Sequence, residues 1–61
     1  MRAETTKLVR KLQKGGFRIV KVTEWQSVKG SLRLTLTLGF PDSGQEVMTD
    51  YVLRNGQYVV V

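Results

Sequence analysis

The segment Gly30-Ser31-Leu32-Arg33-Leu34-Thr35-Leu36-Thr37-Leu38 leaves this chain few choices of fold. Four leucines occupy every second position, with Arg33, Thr35 and Thr37 between them. A strand turns successive side chains to opposite faces, so this spacing predicts one buried leucine face and one wet face. A helix of 3.6 residues per turn would scatter the same leucines around its circumference. The remaining segments must therefore cover the leucines, and the Arg/Thr face must work from outside.

Residues 3–14 read as the cover. Leu8, Val9 and Leu12 form an apolar stripe that Thr5 extends by one turn. Thr5 or Thr6 is suited to capping the start, and Gly15-Gly16 is a stop, since glycine takes the left-handed conformation at a helix end. With three apolar residues this helix is expected to need the sheet for its stability.

Phe17 to Ser27 reads as the first strand. The link Val28-Lys29-Gly30, with glycine last, predicts a type I turn closed by a glycine bulge. That turn pairs Val22 with Leu36 and Val20 with Leu38, hiding both valines on the leucine face. Lys21, Thr23 and Trp25 then lie outside with Thr37, Thr35 and Arg33. The same register puts Glu24 beside Leu34 on the inner face, an awkward place for a carboxylate. A two-residue Lys29-Gly30 turn would instead shift the pairing by one and bury Trp25 beside Leu34.

Phe40-Pro41-Asp42-Ser43-Gly44 predicts a turn and residues 46–54 a third strand, with Val47, Tyr51 and Leu53 on one side and Met48, Asp50 and Val52 on the other. Asn55-Gly56 demands a type I′ hairpin pairing Arg54 with Gln57, Leu53 with Tyr58, Val52 with Val59 and Tyr51 with Val60. The expected architecture is a single α+β domain over residues 1–61, an N-terminal helix packed on a four-stranded antiparallel meander in the order α-β-β-β-β. The alternative is a small, partly open β-barrel with the helix plugging one end.

The 61 residues include no cysteine and no histidine. Disulfides, thiolate or imidazole metal sites and the usual nucleophile–base pairs are thereby excluded. Gly15-Gly16 fits no nucleotide-binding fingerprint, and the carboxylates after position 41 are scattered. The expectation is a protein that is not an enzyme and has no cofactor or metal. Without an apolar run of spanning length or a leader-like segment, a cytoplasmic protein with no membrane partner is expected.

Charge is the functional signal. The net charge is +5, and residues 1–33 carry nine of the ten Lys/Arg against Glu4 and Glu24, whereas residues 34–61 carry only Arg54 against Asp42, Glu46 and Asp50. Such asymmetry suits a polyanion. Arg18, Lys21, Trp25, Lys29 and Arg33, interleaved with threonines on the first hairpin, combine phosphate-neutralising cations, hydroxyl donors and an aromatic that can stack on an unpaired base. Lys7, Arg10, Lys11 and Lys14 add a basic helix face, although Lys11 and Lys14 also complement the helix dipole. If Trp25 were buried, the hairpin face would be only a solvated strand surface.

Gln57-Tyr58-Val59-Val60-Val61 is apolar on both faces and uncharged, so as an edge strand it would invite a second chain. Tyr58, Val59, Val60 and Val61 are the candidate homodimer contacts. As an inner strand beside the first, the segment would simply be buried.

Leu8…Leu12-Gln13-Lys14-Gly15-Gly16-Phe17…Val20, followed by Lys29-Gly30-Ser31, resembles the opening of HicA-type toxins, small RNA-cleaving proteins with a double-stranded-RNA-binding-like fold. The likeness covers about half the chain. Leu32 stands where that family's pattern has its catalytic histidine, and a hairpin replaces its second helix, so cleavage is not carried over. The sequence reading is thus a small basic nucleic-acid-binding protein, for DNA or RNA, regulatory or accessory in role. The alternative is a protein-interaction or inhibitory module acting through the C-terminal edge or the basic face.

Overall fold

A computed structural model describes all of residues 1–61. The elements are α1 (Ala3–Lys14), β1 (Arg18–Gln26), β2 (Leu32–Gly39), β3 (Glu46–Arg54) and β4 (Gln57–Val60). The strands form one open antiparallel sheet in the order β1-β2-β3-β4, with α1 on one face. The sheet does not close into a barrel, and β4 lies at the edge opposite β1.

The leucine alternation places the core. Leu34 and Leu36 are fully buried and Leu38 nearly so, joined by Tyr51 from β3. Leu8, Val9 and Leu12 of α1 pack on them, with Phe17, Ile19, Val22, Val47 and Tyr58 around the margin. The helix ends in a Schellman motif: Gly16, at φ +94°, donates to Gln13 O, and Phe17 donates to Leu12 O. Phe17 then meets Phe40, their ring centroids 5.3 Å apart. The helix exit is thereby fixed against the β2–β3 turn.

Both hairpins take the turns their glycines require. Gly30 N–H donates to Ser27 O, Ser27 N–H donates to Ser31 O, and Gly30 sits at φ +89°, the glycine-bulge turn. Asn55 and Gly56 both have positive φ, as a type I′ turn needs, and the β3–β4 pairing follows the expected register throughout.

The β1–β2 register holds from Gln26 to Lys21 and then departs. Val22 faces Leu36 as expected, but a bulge at Val20 brings Ile19, not Val20, opposite Leu38. Val20 is 46% exposed. One extra residue lets the bulkier Ile19 reach the core and bends the end of an edge strand, a common way of discouraging further pairing.

The start of the helix also differs from expectation. Neither Thr5 nor Thr6 is the N-cap; Arg2 holds that place without a side-chain cap. Thr5 lies inside the helix, fully buried. The capping task passes to Glu24, whose Oε2 accepts from the Arg2 backbone N–H at 2.7 Å and from Thr5 Oγ1 at 2.7 Å. The carboxylate that looked misplaced on the leucine face is what holds the helix N-terminus.

Candidate functional site

The residues singled out on the first hairpin share the sheet face that α1 leaves uncovered. Cross-strand pairing sets Trp25, Arg33, Val52 and Val59 in one row. Thr23, Thr35 and Asp50 form the next row, and Lys21, Thr37 and Met48 the one beyond. Arg18 ends the series with its guanidinium lying over Gly39, where any added Cβ would collide with it. Lys29 is exposed at the hairpin tip.

Trp25 is 41% exposed on this face. Its indole is held in place: Nε1–H donates to Thr35 Oγ1 at 3.1 Å, and the Thr35 hydroxyl donates to Asp50 Oδ1 at 2.7 Å. A hydroxyl carries one proton, so this chain has a fixed direction, from indole to hydroxyl to carboxylate. Arg33 stands between Trp25 and Val52, half-buried, with its Nε buried and without a hydrogen-bond partner. The face therefore presents an oriented aromatic ring among cations and hydroxyls, with two carboxylates, Asp50 and Glu46, on its β3 side.

A polar cluster ties α1, the same strands and β4 together at this end of the sheet. Arg2 Nη1 donates to Arg33 O at 2.8 Å and to the Tyr58 hydroxyl at 2.9 Å, while Nη2 donates to Trp25 O at 3.1 Å. Since the Thr5 proton goes to Glu24, the 3.1 Å Thr5–Tyr58 bond must run from the Tyr58 hydroxyl to Thr5. The Thr5 hydrogen bond first, and then that from the Arg2 backbone, hold the Glu24 carboxyl below its ordinary range. One arginine thus braces the backbone of both residues, Trp25 and Arg33, that define the outer face.

The helix cations lie elsewhere. Lys7, Arg10, Lys11 and Lys14 line a cleft of about 470 Å³ between α1 and the β3–β4 hairpin, with Glu4, Leu8, Gly56, Gln57 and Tyr58. Since α1 covers the leucine face and Trp25 lies on the other, the sheet separates the two basic sets. They do not form one continuous strip.

At the C-terminal edge, Val59 and Val60 are exposed and point to opposite faces, and Val61 still donates its N–H to Asp50 O. The Tyr58 side chain does not belong with them. Its ring packs edge-on to Tyr51 and its hydroxyl is engaged by Arg2 and Thr5, so it faces inward.

Sequence reasoning missed Arg2 and Asp50. The signal for Asp50 lay in the register, because pairing the second and third strands sets it opposite Thr35. Arg2 had no such signal, since its partners lie 23 to 56 residues away. No protein-family model, curated protein or solved structure matches the chain, the HicA-type toxins included, so the functional reading rests on this geometry.

Proposed function

We propose that the chain is a small non-enzymatic nucleic-acid-binding protein that takes a single strand on its open sheet face, in a regulatory or accessory role. The observation that carries this is the half-exposed, tethered Trp25 beside Arg33 on a face no helix covers. Stacking on an aromatic ring requires an unpaired base, and a ring already fixed by Thr35 loses little freedom on binding.

Phosphates would run along the β1 side, neutralised by Arg18, Lys21 and Arg33, with Lys29 at the tip and the hydroxyls of Thr23 and Thr37 as donors. Asp50 repels phosphate from the β3 side, so the bases point toward β3 and the backbone follows β1. Titrating Trp25 fluorescence with single-stranded DNA and RNA at low salt tests this. Quenching that weakens steeply with salt is expected, with duplex of the same sequence weaker. An unresponsive Trp25 and no binding would overturn the reading.

One observation favours a second reading, partner capture through β4. The β1 edge carries a bulge and Lys21, whereas the β4 edge has no charged side chain. Pairing of two β4 strands would give a homodimer with an eight-stranded sheet. Sedimentation of the wild type against Val60→Lys tests it: a dimer lost in the variant supports edge pairing, and a wild-type monomer removes it.

A further inference from the structure

We infer that the cleft between α1 and the β3–β4 hairpin is a second, independent site for a phosphate backbone, so that one molecule holds two nucleic-acid strands, one on each side of its sheet. This rests on the nucleic-acid reading above and extends it from one surface to two.

The cleft has the chemistry of an anion site. Lys7, Lys11 and Lys14 follow one another at i, i+4 and i+7, and Arg10 sits within the same stripe; all four are exposed and line the opening. Seven residues of helix place them along about 10 Å. The opposite wall, Gly56 and Gln57, is uncharged, and Leu8 and Tyr58 complete the lining. Glu4 is the one carboxylate there. Helix-dipole complementation accounts for cations in the last turn but not for Lys7 or Arg10.

The arrangement also has a cost that a ligand would remove. Lys7 with Lys11, and Arg10 with Lys14, are like-charge pairs at i, i+4, which destabilise a helix. A short helix with three apolar contacts is a poor place for them unless an anion lies across the stripe.

No aromatic ring in the cleft is free to stack a base. The ring of Tyr58, its one aromatic residue, packs edge-on to Tyr51, and its hydroxyl is committed to Arg2 and Thr5. The cleft is therefore a site for backbone phosphates, while the Trp25 face takes unpaired bases. The two share no residue, and the sheet stands between them.

Native mass spectrometry with an oligothymidine of six nucleotides, too short to serve both faces, tests the proposal. A monomer carrying two strands is expected. Lys7→Glu with Lys11→Glu should reduce this to one strand and leave Trp25 quenching unchanged. Trp25→Ala with Arg33→Glu should also leave one strand, now held in the cleft. Circular dichroism verifies each fold, and Lys7→Gln with Lys11→Gln repeats the test without charge reversal. Saturation at one strand would leave the cleft without a site of its own, and loss of Trp25 quenching in the helix variants would mean that the two faces are not independent; either result would overturn the inference while leaving the open-face reading standing. No bound strand and no quenching by the wild type would overturn both.

Discussion

The two faces of this sheet are built from alternate residues of the same strands, yet they obey different rules. On the inner face, Leu34, Leu36 and Leu38 meet Tyr51 and the α1 stripe, and the polar groups there are organised around Arg2, Thr5, Glu24 and Tyr58. On the outer face, Trp25, Arg33, Thr35 and Asp50 are arranged as carefully, but nothing lies above them. A covered face must be satisfied internally, whereas an open one can keep an aromatic ring and cations ready for something else. The contrast teaches that order on the open face is not explained by burial.

The comparison breaks most sharply at its centre. Leu36 is fully buried and Thr35, its neighbour in sequence, points outward. Leu36→Ala is expected to cost about 2–5 kcal/mol. A core this small rarely supplies more than about 3–5 kcal/mol in total, so the variant should be largely unfolded at room temperature. Thr35→Val should stay folded. Urea denaturation followed by circular dichroism checks both, and a cooperative, stable Leu36→Ala variant would show that the leucine face is not what holds the fold.

Next in size is Trp25 itself. If bases stack on it, Trp25→Ala should lower single-strand affinity by about 1–3 kcal/mol, roughly 5- to 150-fold, with little change in stability. Trp25→Phe should recover part of the loss, because the ring remains and only the bond to Thr35 disappears. Fluorescence anisotropy of a labelled strand reads all three proteins. Equal affinities would confine Trp25 to a structural role on the open face.

The reach of sequence reasoning divides along the same line. Alternation fixed the faces of β2 and β3, and Val28-Lys29-Gly30 and Asn55-Gly56 fixed two registers, because each signal lies within a few residues. The same logic put Trp25 outside. It failed at Val20, where a bulge depends on whether Val20 or Ile19 better fills space beside Leu38, a matter of three-dimensional packing. It failed again at the helix start, where neither Thr5 nor Thr6 is the cap, although Thr5 is buried as its place in the apolar stripe implied. The helix cations were recognisable, but their separation from Trp25 was not, since it depends on which face α1 covers. Tyr58 looked like edge material until Arg2 and Thr5 claimed its hydroxyl.

A smaller effect sharpens the inner face. Glu24 is held below its ordinary value of 4.5 by Thr5 and the Arg2 backbone. A carboxyl whose pKa falls on folding adds stability above its unfolded value, and that stability is lost as pH falls through the folded value. Wild-type stability should therefore decline on acidification below about pH 4.5. Glu24→Gln should start less stable and decline less steeply. Parallel curves from thermal melts across that range would mean that Glu24 does not couple the helix N-terminus to β1.

The smallest expected effect isolates the open face from the fold. Gly39 lies in β2, in extended backbone, and its missing side chain is what lets the Arg18 guanidinium lie across the strand. Gly39→Ala reduces the freedom of the unfolded chain, which favours folding by about 0.4–1 kcal/mol. It also pushes aside the flexible end of Arg18, which offsets part of that gain. The melting temperature should barely move. Binding is the better readout, because a displaced Arg18 no longer neutralises a phosphate. The log–log salt slope for a single strand should fall by about 0.7, the value for one lost contact. Arg18→Gln should lower the slope by the same amount, and the double variant by no more than either alone. An unchanged slope in all three would place Arg18 off the path of the strand and shorten the proposed interface to Lys21, Trp25, Lys29 and Arg33.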